Sequence, residues 1–164
     1  VARTRFFRSG KKPVKVPTII RHTPGQEVTL KLIPHAHLKA IADGRGGEEE
    51  FLTITFRTLV GASLTGFADD ADQKHLEEIF QAATEALISM GERYTRLSKF
   101  GTSGDELIRI KAALNLTDDL QDVATKREQA EMYKQVEGFV GAFDFTMKNL
   151  RLLKERYQQP AEIS

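Results

Sequence analysis

The sequence predicts a mainly α protein: a small helical bundle with two long antiparallel amphipathic helices, an extended basic N-terminal arm and one short strand. Three observations carry that reading. Positive charge is gathered before the first acidic residue, Glu27. Apolar residues between Leu76 and Leu97 recur at alternating spacings of four and three. Prolines and glycines crowd the first 26 residues and thin out afterwards.

The arm comes first. Arg3, Arg5, Arg8, Lys11, Lys12, Lys15 and Arg21 give +7 before Glu27, whereas the rest of the chain holds 17 basic residues against 23 acidic ones. A formal net charge of +1 therefore conceals a cationic leader on an anionic body. Pro13, Pro17 and Pro24 oppose helix and favour extended backbone. Val14, Val16, Ile19 and Ile20 supply apolar content for lying against a surface, the chain's own or a neighbour's. The expected organisation is an arm over 1–26, a bundle over 27–159 and a tail over 160–164.

In EVTLKLIP, Val28, Leu30 and Leu32 alternate with Thr29, Lys31 and Ile33, which reads as a short half-buried strand. Pro34 then suits the first position of a short helix closed by Gly44. Gly44-Arg45-Gly46-Gly47 reads as a flexible joint. Residues 51–60 fit two patterns. Leu52, Ile54 and Phe56 alternate as a strand does, but Leu52, Phe56, Leu59, Val60, Ser63, Leu64 and Phe67 share one helical face. Glu48, Glu49 and Glu50 complement a helix dipole, and the run exceeds ordinary strand length. Helix is favoured. Gly61, Ala62 and Ser63 then form a low ridge for close packing.

Beyond residue 69 the periodicity is clear. Asp69, Asp70 and Asp72 open a helix whose seam is Leu76, Phe80, Ala83, Leu87, Met90, Tyr94 and Leu97. Ile79, Ala86 and Ile88 widen the stripe to bundle width. Ser103-Gly104-Asp105-Glu106 is a capping box, opening a short helix that faces inward through Leu107, Ile110 and Leu114. Thr117-Asp118-Asp119 is the expected start of a last helix reaching about Gln159. Its face holds Leu120, Val123, Ala124, Tyr133, Val136, Val140, Phe143, Met147, Leu150 and Tyr157, with a bend at Gly138 and Gly141.

Length and composition narrow the functional classes. A chain of 164 residues, 40% apolar and 29% charged, suits one globular domain able to bury a conventional core. With no cysteine there is no thiol catalysis, disulfide or Cys-ligated metal. No apolar run approaches bilayer length, and the leader lacks the apolar stretch of a secretory signal. Cytoplasm is the expected compartment and no membrane partner is expected.

Each candidate for chemistry has a plainer reading. His35 and His37 can share a metal on a strand, but on a helix they diverge by about 200°. The glycines at 44–47 precede a helix as a phosphate cradle does, yet Glu48–Glu50 would repel a phosphate there. Asp69, Asp70, Asp72, Glu77 and Glu78 are accounted for as helix-start and solvated acids. Gly61-Ala62-Ser63-Leu64-Thr65 lacks the final glycine of a nucleophile elbow. No catalytic residue, metal ligand or cofactor is assigned; a small metal-dependent enzyme using the histidines and the acidic cluster is the weakest alternative.

The arm remains as the site. Arg3, Arg5, Phe6, Phe7, Arg8, Lys11, Lys12 and Lys15 interleave cations with aromatic faces, suited to phosphate contact and base stacking on DNA or RNA. The same segment, with its valines and isoleucines, suits docking on a second subunit or partner, and its plainer reading is an inert, solvated leader. The expected function is a non-enzymatic oligomeric interaction protein whose arm contacts a neighbouring subunit, a partner or nucleic-acid phosphates.

Overall fold

The computed structural model describes residues 24–140. Five α-helices make up this region: α1 (Pro24–Ala42), α2 (Glu48–Leu64), α3 (Asp70–Leu97), α4 (Gly104–Val123) and α5 (Lys126–Val140), with a 3₁₀ turn at Thr65–Phe67. No strand occurs among the described residues. The helical-bundle class therefore stands.

The α2 helix is the axle. Nine of its residues are buried, from Phe51 to Leu64, and it packs against each of the other four helices. Its threonines would be a liability there, but each satisfies itself. The Thr55 hydroxyl donates to the Phe51 carbonyl at 2.8 Å and that of Thr58 to the Ile54 carbonyl at 2.9 Å. The choice of helix for residues 51–60 is borne out. The predicted ridge narrows to one residue: a Cβ at Gly61 would lie 2.0 Å from Thr117 Oγ1 and 2.6 Å from the Phe80 ring. Close approach of α2 to α3 and α4 thus requires glycine.

The α3 seam is also real. Phe80, Ala83, Leu87 and Met90 are buried. Ala86, Leu87 and Met90 meet Ile110 and Leu114 in one cluster, and Phe80 and Ala83 meet Ala113 in another. As α3 advances its α4 partners fall in number, so the two helices run antiparallel. The seam fails at its end, where Leu97 is exposed beside Ser98, which closes the helix at φ 52°. Phe100 folds back to stack between Tyr94 and Phe51, with centroids 4.1 and 4.8 Å apart.

Three sequence expectations are corrected. The strand over 28–33 is helix, because α1 is continuous through Pro34. A proline there removes the bond to the Leu30 carbonyl and costs about 3 kcal/mol in an isolated helix, but Pro34, Leu38 and Ile41 are buried in the bundle and tertiary packing prevails. The glycine joint is a built turn. Arg45 N–H donates to the Ala40 carbonyl and Gly44 N–H to that of Ile41, with Gly44 at φ 73°, the Schellman pattern. A Cβ at Gly46 would fall 2.3 Å from the Ile41 side chain. Thr117-Asp118-Asp119 does not start a helix; it lies within α4, whose start at the Ser103 capping box is as expected. The break comes at Ala124–Thr125, where a second capping box pairs Thr125 and Glu128: the Thr125 N–H donates to the Glu128 carboxylate at 2.7 Å and Glu128 N–H to Thr125 Oγ1 at 3.3 Å. The predicted continuation of the last helix from 141 to 159 lies outside the described residues.

Candidate functional site

The most unusual side chain in the core is an arginine. Arg57 lies in the middle of α2, between Phe56 and Thr58, and is 4% exposed. A guanidinium cannot shed its charge, so burial demands a compensating carboxylate. Asp118 of α4 supplies it: Arg57 Nη2 donates to Asp118 Oδ1 at 2.7 Å. Arg57 Nη1 donates to the Tyr133 hydroxyl of α5 at 2.6 Å. The other carboxylate oxygen, Asp118 Oδ2, lies 2.9 Å from His35 Nε2 of α1. One polar chain, His35–Asp118–Arg57–Tyr133, thereby ties four helices together. Nearby, Lys31 of α1 pairs with Asp122 of α4.

This chain borders a cavity of about 310 Å³. Leu30, Ile33 and Pro34 of α1 face Phe56 of α2 and Tyr133 of α5 across it, and the Phe56 and Tyr133 rings stack with centroids 5.6 Å apart. Arg57 and Gln121 also line it. Each keeps one buried polar atom without a partner, Arg57 Nε and Gln121 Oε1. A buried donor or acceptor left unpaired costs about 1–3 kcal/mol. The apolar surface continues outside the cavity, where Val28 and Leu32 on α1 are 57% and 60% exposed.

Chemically the cluster is a compensated ion pair with a histidine and a phenol at its ends. The Arg57 charge is already met by Asp118. Its ability lies in fixing the walls of an amphipathic groove.

The sequence candidates are distributed differently. Arg3, Arg5, Phe6, Phe7, Arg8, Lys11, Lys12 and Lys15 all lie outside the described residues. His35 and His37 diverge along α1, as helix geometry requires: His35 meets Asp118, whereas His37 Nδ1 is buried without a partner. Among the described residues no three His, Asp or Glu side chains gather as metal ligands. Asp69, Asp70, Asp72, Glu77 and Glu78 are exposed at the start of α3. Glu50 turns back to accept the Gly47 N–H at 2.8 Å, and that bond holds its carboxyl below the usual range. Arg57, Asp118 and Tyr133 were not foreseen as a unit. The available signal was a lone arginine inside the apolar run TITFRTLVG, a position that calls for a distant acid.

No protein-family model, curated protein or solved structure matches this chain. Among the described residues no helix is long and apolar enough to cross a membrane.

Proposed function

We propose that this chain is a non-enzymatic, oligomeric interaction protein whose basic leader docks on a neighbouring copy. The observation that carries the reading is charge segregation. The leader holds seven cations before its first acid, whereas residues 24–140 hold 20 acidic and 13 basic residues, a balance of −7. Opposite fields on one chain favour head-to-body association and speed the encounter. An apolar groove beside the start of α1 offers the desolvated contact that charge alone does not. Light scattering on the full chain and on a chain lacking residues 1–15 tests this. The full chain is expected to be dimeric or larger and the shortened one largely monomeric; a monomeric full chain at about 100 μM removes the reading.

A second reading rests on Arg3, Arg5, Phe6, Phe7 and Arg8, whose mixture of guanidinium and aromatic faces fits single-stranded nucleic acid. In that reading the acidic bundle faces away and binding tolerates sequence. If about five cations met single-strand phosphates, affinity would fall with a log–log salt slope of about −3.5. A gel-shift titration with and without residues 1–15 decides it, and equal affinities dismiss it.

A further inference from the structure

We propose that the first half of α1, up to Ile33, is a rigid flap that swings about Pro34 and gates the cavity beneath it. The swing is a property of the bundle and does not depend on the leader's docking or on self-association.

The two halves of α1 are held very differently. Beyond Pro34, Leu38 and Ile41 are 3% and 0% exposed and belong to the main core cluster with Phe51, Ile54 and Leu114. Before it, Leu30 and Ile33 are 41% and 37% exposed, and Val28 and Leu32 more so. None of these four joins a core cluster among the described residues. A segment with so few buried apolar contacts opens at a lower cost than its core-bound neighbour.

Pro34 makes the joint. It is buried and stays with the second half, but its ring nitrogen has no hydrogen to donate to the Leu30 carbonyl, so the helical ladder is interrupted between the halves. One residue beyond the pivot, His35 fastens the second half to Asp118 at 2.9 Å. The flap itself is tied to α4 by the ion pair of Lys31 with Asp122, and Asp122 is 66% exposed. An ion pair at the solvent edge holds weakly and exchanges readily for water. It is a latch.

The cavity shows what the swing does. Leu30, Ile33 and Pro34 form its α1 wall, facing Phe56 and Tyr133. Close-packed interiors rarely keep a space of this size, about 310 Å³. Inward motion of the flap fills it, and outward motion opens Phe56, Tyr133 and the Arg57 guanidinium to solvent, as hinge closures do elsewhere.

The absence of cysteine allows the test to use paired spin labels on the full chain. Leu32→Cys/Asn115→Cys sets one label on the flap and one on an exposed α4 position, and Lys39→Cys/Asn115→Cys reports the second half of α1. Labelled chain is mixed with excess unlabelled chain, so that dipolar spectroscopy reads distances within one molecule whatever the oligomeric state. Two populations are expected for the first pair and one for the second. Asp122→Asn should raise the displaced population about two- to fivefold, as loss of an exposed ion pair does, with helix content unchanged by circular dichroism. Pro34→Ala restores an N–H toward the Leu30 carbonyl and should shrink the displaced population. A single narrow distribution for the first pair overturns the proposal. So do populations indifferent to both substitutions, and so does a loss of helix in Asp122→Asn, which would make the motion an unravelling and not a swing.

Discussion

Two of the bundle's arginine–carboxylate pairs, Arg93–Glu106 and Arg57–Asp118, are built to different standards. Arg93 and Glu106 come from adjoining helices, 13 residues apart in sequence. Arg93 holds the carboxylate with both terminal nitrogens, at 2.6 and 3.2 Å, and donates to the Gly101 carbonyl. Glu106 also accepts the Ser103 N–H at 2.7 Å, closing the capping box of α4. That pair is local and saturated. Arg57 and Asp118 are 61 residues apart, their partners come from two further helices, and Arg57 Nε is left without one beside a cavity. The difference separates a local contact from a long-range one. The first pair terminates a hairpin; the second, through His35 and Tyr133, ties four helices together.

The comparison can be broken most sharply at Asp118. Its replacement by alanine leaves a buried, uncompensated guanidinium, and about 3–5 kcal/mol of unfolding free energy should be lost in urea titration. A loss below about 1 kcal/mol would mean that Arg57 is rehydrated and the pair is not a true core element. Gly61→Ala comes next. Its methyl collides with Thr117, the neighbour of Asp118, and with the Phe80 ring, so overpacking should cost about 1–3 kcal/mol and lower the midpoint without altering the urea slope. Glu106→Gln should cost less, about 1–2 kcal/mol, because Arg93 is 28% exposed and regains water.

Glu106 also sets a direction for pH. Burial pushes its carboxyl up, but hydrogen bonds from Arg93 and Ser103 outweigh that and hold it below the usual range. A carboxyl depressed in the folded state stabilises fully above its unfolded pKa, 4.5 for a free glutamate, and loses that contribution as pH falls through the lower folded value. Stability should therefore decline on acidification below about pH 4.5, and Glu106→Gln should flatten the decline. An unchanged acid limb in the variant would transfer the effect to other carboxylates. The smallest effect is expected for Arg57→Met. Asp118, 22% exposed, turns to water while an apolar chain of similar length fills the core, so the cost should stay under about 1.5 kcal/mol.

What the sequence disclosed follows the same division between local and distant. The α3 seam and the Ser103 box are short-range patterns, and the burial of Phe80, Ala83, Leu87 and Met90 matches the spacing. Leu97 failed because a seam says nothing of where the partner helix ends. Residues 28–33 carry a strand-like pattern because α1 is apolar on two sides there, so a period of two is as visible as one of 3.6. Thr117-Asp118-Asp119 has the residue types of a helix start, but in the fold Thr117 is buried, donating to the Ala113 carbonyl, and Asp118 serves Arg57. The polar chain joins residues 35, 57, 118 and 133, and no window of sequence contains it. Arg57 alone was legible, as a charge in an apolar run; the identity of its partner was not.

The central claim is that a cationic leader associates with an anionic bundle of another copy. Sedimentation velocity on the full chain, across a range of concentrations at about 50 mM and about 1 M salt, addresses it directly, because at the higher ionic strength exposed charges are screened within about 3 Å. A dimer at low salt that shifts toward monomer at high salt is the expected result. A single monomeric species, indifferent to both concentration and salt, would contradict it.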